Sequence, residues 1–170
     1  MTKAGVGAAA VVLLAVLVFF AVSAWSRQPA LAKASPQPIN FPHNVHVQTY
    51  KMDCQYCHAD ARRSEYAGLP SVERCMGCHR IVAADKPEIK KLAEYAGKQQ
   101  PIPWTRVFKV PEFTYFPHKA HVRAQVACQT CHGPVETMDR VVPAHDINMG
   151  FCITCHTERG VTKDCSVCHY

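Results

Sequence analysis

One pentapeptide pattern recurs five times along this chain: Cys54-Gln55-Tyr56-Cys57-His58, then Cys-x-x-Cys-His units beginning at Cys75, Cys128, Cys152 and Cys165. Two thiols at this spacing add across the vinyl groups of a haem, and the histidine that follows becomes the proximal iron ligand. All ten cysteines lie in these units, so none is left for a disulfide or a free thiol. A lone Cys-x-x-Cys also reads as a zinc half-site or a thioredoxin-like pair. Histidine in the fifth position of every copy favours haem over both. The pattern predicts five covalently bound haem c groups, held by Cys54 and Cys57, Cys75 and Cys78, Cys128 and Cys131, Cys152 and Cys155, and Cys165 and Cys168. Their proximal ligands are His58, His79, His132, His156 and His169.

An internal repeat points to the opposite axial positions. Phe41-Pro42-His43-Asn44-Val45-His46-Val47 returns 75 residues later as Phe116-Pro117-His118-Lys119-Ala120-His121-Val122. A haem unit starts eight residues after His46 but seven after His121. Of the ten histidines, five remain once the proximal set is removed: His43, His46, His118, His121 and His145. Five irons need five more strong ligands to be six-coordinate, so these are the expected distal ligands. Histidines three apart on a helical turn lie side by side, and each reaches a different haem. Met149, four residues after His145, is the rival sixth ligand there; a thioether would raise that haem's potential. Phe41 and Phe116 are expected on porphyrin faces.

Residues 4–26 carry no charge and lie between Lys3 and Arg27, long enough to cross a bilayer at about 20 residues per helix. A cleaved signal is the competitor, with small-residue sites at Val22-Ser23-Ala24 and Ala30-Leu31-Ala32, but its apolar core is usually about 7–15 residues. A retained single-pass anchor is the reading adopted. Since haem is attached to secreted chains, the haem domain would lie on the periplasmic side of the bacterial cytoplasmic membrane. The remaining ~140 residues are too few to give each haem its own protein core, so the haems form much of the interior. The formal charge of +6 is no nucleic-acid signal. Propionates, two per haem, outweigh it, and oxidised haem cores restore the holoprotein to near neutrality.

Between the repeats, Asp85-Lys86-Pro87-Glu88 has the form of a capping box with proline in the first turn. Ile89, Leu92, Ala93 and Ala96 recur at helical spacing, and Gly97 would end the helix. The expected organisation is a cytoplasmic N-terminus (1–3), a transmembrane helix (4–26), a linker (27–40) and a dihaem module (41–84). A helix and extended connector (85–115) and a trihaem module (116–170) follow. The fold class is an N-terminal transmembrane helix plus a multihaem cytochrome c domain of short α-helices and loops with little sheet.

The second module resembles the small class III multihaem cytochromes of the c3 and c7 types, with a Phe-x-His-x-x-His lead, a haem unit, and a further lone histidine. That resemblance implies His118 for the Cys128 haem, His121 for the Cys152 haem and His145 for the Cys165 haem. By the repeat, His43 and His46 would serve the Cys54 and Cys75 haems. One membrane helix followed by five haems, with the connector Ile102-Pro103-Trp104-Thr105-Arg106-Val107 and Phe113-Thr114-Tyr115-Phe116, is similar to the pentahaem subunit of alternative complex III. The partners implied are an iron–sulfur/molybdopterin-enzyme-like periplasmic subunit, polytopic quinol-binding membrane subunits and a monohaem cytochrome c.

The expected role is an electron wire rather than an enzyme: a subunit carrying electrons from quinol oxidation in a membrane partner to a soluble periplasmic acceptor. A multihaem reductase is the catalytic alternative, but it needs an iron with an open position, and the ligand count leaves none. A stand-alone quinol dehydrogenase is the third reading. The lone apolar span offers no ionisable residue to take up quinol protons.

Overall fold

The computed structural model describes residues 12–20 and 34–169, which fall into two units. In the first, 12–20 is helical (α1) with exposed side chains. Among the described residues no helix is long and apolar enough to cross a membrane. The expected span 4–26 is described only over 12–20, and its other residues lie outside the described residues.

The second unit is built of short helices, five of which carry residues of a haem unit. The helices are α2 (Cys54–Cys57), α3 (Val72–His79), α4 (Pro87–Gly97), α5 (His118–Arg123), α6 (Gln129–His132), α7 (Met149–Glu158) and α8 (Cys165–Cys168). Polar caps set their starts: Asp53, Ser71, Asn148 and Asp164 each accept an amide of the first turn, from Gln55, Arg74, Phe151 and Ser166 respectively. No strand forms among the described residues beyond one antiparallel bridge, Thr114 with His169. Beside it the Tyr115 amide donates to the Cys168 carbonyl at 2.8 Å. The connector is thereby tied to the last haem unit.

The expected capping box at Asp85 does not form. Lys86 is the N-cap of α4, with no side-chain cap and proline in the first turn. Glu88 turns outward instead, accepting from the Asn40 amide at 2.7 Å and from Lys91 Nζ at 2.6 Å. Leu92 is buried, and with Ile39, Val72, Met76 and Ile102 it forms a cluster packed by Ile89, Tyr95 and Trp104. Residues 37–39, placed in a linker by sequence, therefore belong to the folded body. Gln37 pairs both ways with the Thr105 backbone, at 2.8 and 3.0 Å, which holds the two extended segments together. Among the described residues, the buried hydrophobic side chains all fall between residues 39 and 102. Residues 116–169 bury none, so protein side chains alone do not form a core there.

The two repeats are docked reciprocally. α5, which opens the second, packs on the 3-10 turn Ala59–Arg62 that follows the first repeat's haem unit. The helical turn Asn44–Thr49, which opens the first, packs on the 3-10 turn Val135–Thr137 after the second's. Equivalent bonds sit at both seams, Asn44 N–H to Met138 O and Lys119 N–H to Ser64 O, each 3.0 Å. The repeats are thus related by a local pseudo-two-fold.

The repeats differ by one residue, and the difference is absorbed locally. The first has one more residue between its histidine pair and its cysteines, and there the turn Asn44–Thr49 winds as a π-helix. A single inserted residue that does not break a helix is accommodated by widening one turn in this way. Both turns end on a residue in the left-handed region, Lys51 at φ 56° and Gln125 at φ 56°, so the haem units begin in equivalent positions.

Candidate haem-binding site

A cavity of about 490 Å³ lies between the two repeats. Its walls include Cys54, Cys57, His58 and His43 from the first and Cys128, Cys131, His132 and His118 from the second. Apolar side chains, among them Phe41, Trp104, Phe108 and Phe116, complete it.

Histidines distant in sequence face one another across the unit. The ring centroids of His46 and His79 are 6.0 Å apart, those of His118 and His132 6.4 Å, and those of His121 and His156 6.1 Å. Two imidazoles bound through nitrogen on opposite sides of one metal, with bonds of about 2.0 Å, would set their centroids about 6.3 Å apart. The ring planes of His118 and His132 are also nearly parallel, at 6°. His43 and His58 both line the large cavity and sense each other electrostatically.

The second nitrogen of most rings is accounted for. Nδ1 lies within hydrogen-bond distance of a backbone carbonyl at His46 (Pro42, 2.9 Å), His58 (Gly68, 2.7 Å), His79 (Val82, 2.9 Å) and His118 (Glu65, 2.5 Å). The same holds at His121 (Pro117, 3.0 Å), His156 (Thr162, 2.6 Å) and His169 (Phe113, 3.4 Å). A carbonyl can only accept, so Nδ1 carries the proton and Nε2 keeps its lone pair for a metal. His43 Nδ1, by contrast, is buried with no hydrogen-bond partner. Burial, then the neighbouring His58 and His46, push His43 down to about 4. Burial, then His118 and His58, also hold His132 below the usual imidazole range. Both are neutral near pH 7, the form a metal requires.

These residues fit a haem: thiol pairs beside each proximal histidine, an apolar cavity, paired imidazoles at metal-bridging distance and tautomers that present Nε2. Phe41 and Phe116 stack on two of the candidate distal imidazoles, His46 at 4.3 Å and His121 at 4.4 Å. The fifth set is arranged differently. His145 stacks on Phe151 at 5.5 Å, and His169 lies against Phe113 at 5.7 Å. Met149 opens α7 and is 61% exposed.

Sequence reasoning missed the carbonyl acceptors, because a backbone oxygen leaves no residue-type signature. Two had a signal: Pro42 and Pro117 each stand four residues before the second histidine of a pair, where a helical first turn brings their carbonyls under that ring. Gly68 had a weaker one. It adopts φ +74° so that its carbonyl meets His58, and glycine takes that region at little cost.

Comparison with known proteins agrees with this chemistry. Residues 21–101 match the Class III cytochrome C family, and residues 114–170 match the family of cytochrome c7 and related cytochrome c. The chain is also 29% identical over 195 residues to the "Menaquinone reductase, multiheme cytochrome c subunit" of Nitratidesulfovibrio vulgaris, an alignment covering 98% of this chain and 92% of the relative. The folded unit is a multihaem cytochrome domain of the c3/c7 kind, with covalently bound haem c, and its chemistry is electron transfer.

Proposed function

We propose that this chain is the membrane-anchored, pentahaem electron-transfer subunit of a quinone-linked respiratory complex, with its haem domain on the periplasmic side. The observation that carries the reading is the set of three facing histidine pairs, at 6.0, 6.4 and 6.1 Å, each including the histidine of a Cys-x-x-Cys-His unit. Bound haem supplies one-electron ferric/ferrous chemistry. The chain's residues do the rest: the cysteines fix each group covalently, the paired imidazoles close both axial positions, and the apolar walls exclude water and set potential. With His43, His46, His118, His121 and His145 as distal ligands no iron is left open for a substrate, so the subunit itself is not the catalyst. Quinol protons are handled in a membrane partner, since the span 4–26 holds no ionisable side chain.

The partners follow from the resemblance to alternative complex III: polytopic quinone-binding subunits, an iron–sulfur/molybdopterin-enzyme-like periplasmic subunit, a monohaem cytochrome c and a soluble periplasmic acceptor. In that setting electrons flow from menaquinol outward. The Nitratidesulfovibrio vulgaris relative, a menaquinone reductase subunit by name, favours the opposite flow, from a periplasmic donor to menaquinone.

One experiment tests the subunit reading and the direction. Haem α-band absorbance is followed after adding a menaquinol analogue, in the isolated full-length chain and in the complex purified from native membranes. Slow reduction alone with rapid, inhibitor-sensitive reduction in the complex is expected. Rapid inhibitor-sensitive reduction of the isolated chain would make it a quinol dehydrogenase in its own right. Pre-reduced complex that hands electrons to a menaquinone analogue, but is not reduced by the quinol, would establish inward flow. Retention of the anchor is read from the intact mass of the membrane-bound form; a start at Trp25 or Lys33 would mean a cleaved signal.

A further inference from the structure

We infer that the haem sites follow one another in space in the order Cys75, Cys54, Cys128, Cys152, Cys165, so that electrons cross between the repeats at the Cys54 and Cys128 units. This inference rests on the electron-wire reading above and adds its path. The order is not that of the sequence, where Cys75 would stand between Cys54 and Cys128.

Three independent features support it. The large cavity is walled by the Cys54 and Cys128 units together, and neither Cys75 nor Cys78 lines it. Burial, and then the Cys128 thiol beside it, push the Cys54 thiol up. Finally, the pseudo-two-fold seams lie around these same units. The Lys119 amide reaches Ser64, six residues after His58, and the Asn44 amide reaches Met138, six residues after His132. A two-fold between repeats brings equivalent parts together at the axis, and the parts so placed are the first haem units of each repeat.

The flanking steps follow from the remaining neighbours. The Cys75 thiol lies within electrostatic reach of Cys57, and Arg74 beside it sits 5.1 Å over the Tyr56 ring, so the Cys75 unit adjoins the Cys54 unit. α4 and the buried cluster also pack on it. His118 and His121, one turn apart on α5, face His132 at 6.4 Å and His156 at 6.1 Å, which sets the Cys128 unit beside the Cys152 unit, and Cys131 lies within electrostatic reach of Cys155 and Cys152. Cys152 in turn lies within that reach of Cys168, in the last unit. The units of Cys75 and Cys165 are therefore the two ends of the line, where electrons arrive from and leave to partners. The Cys54-to-Cys128 step is the single crossing between the modules.

The direct test is the position of the irons in the holoprotein, from anomalous diffraction at the iron edge or from an electron-microscopy map of the complex. The Cys54 and Cys128 irons are expected to be the closest pair drawn from different modules. A Cys75 iron closer than the Cys54 iron to the Cys128 iron would overturn the order. In solution, the order is read from coupling between neighbours. His43→Met is expected to raise the potential of the Cys54 haem, as thioether ligation does, so that this site is already reduced while its neighbours titrate. The Cys128 haem, identified by the low-spin signal that His118→Ala abolishes, should then shift its midpoint downward. An unmoved Cys128 midpoint beside a raised Cys54 midpoint would overturn the inference. Failure of the wire reading looks different: an open, high-spin iron in the native ferric protein, whatever the order.

Discussion

His118 Nδ1 donates to the Glu65 carbonyl at 2.5 Å, so a candidate iron ligand of the second repeat is held by the backbone of the first. The equivalent nitrogen of the first repeat, His43 Nδ1, is buried and has no partner. The pseudo-two-fold is broken at this bond. An imidazole whose Nδ1–H is donated to a carbonyl is a more basic ligand and favours ferric over ferrous iron.

On the proximal side the asymmetry runs the other way: His58 Nδ1 meets the Gly68 carbonyl at 2.7 Å, a bond that His132 lacks. The Cys54 and Cys128 haems would each have one carbonyl-bonded imidazole, so their axial ligands set no difference in potential and the two are expected to titrate close together. An EPR-monitored redox titration with His43→Ala and His118→Ala as assignment controls checks this. A wide separation would mean that another difference, such as propionate neighbours, outweighs the ligands.

Removing a distal ligand should be felt at one site. His121 faces His156 at 6.1 Å, so His121→Ala is expected to turn the Cys152 haem high-spin while the covalent link through Cys152 and Cys155 holds it in place. The other sites stay low-spin. Appearance of the high-spin change at the Cys165 haem would show the ligand pairing to be wrong.

Two glycines should be unusually intolerant. Gly68 sits at φ +74°, and an added Cβ would meet Asp60 Oδ2 at 2.8 Å; its carbonyl accepts from His58. Gly133 sits at φ +71°, directly after His132, and a Cβ there would collide with the Ala144 methyl. Gly68→Ala is expected to cost about 1–2 kcal/mol from the backbone region alone. Gly133→Ala should cost more, because the obstacle is a short, rigid side chain. Denaturant unfolding of the holoprotein measures both, and Gly97→Ala, with open space around it, is the control.

The sequence alone was sufficient for what depends on contiguous residues. Thioether attachment needs two thiols and a histidine within one turn, so all five units are legible as such. Caps such as Asp53, Ser71 and Asp164 act on amides two or three residues away and are equally local, though the one capping box expected, at Asp85, does not form. The count of histidines and the repeat at Phe41 and Phe116 marked the candidate distal ligands, and the one-residue mismatch between the repeats was visible before its form was. What tertiary structure decided is which distant groups meet. The widened turn at Asn44–Thr49 is one way among several to absorb an extra residue, and packing against Val135–Thr137 accompanies it here. Glu88 left its capping role because the Asn40 and Lys91 donors, one of them 48 residues away, competed for it. The carbonyls of Glu65 and Gly68, the shared cavity and the meeting of Cys54 with Cys128 have no sequence pattern. They arise from docking two repeats about an axis, and residue types do not specify where that axis falls.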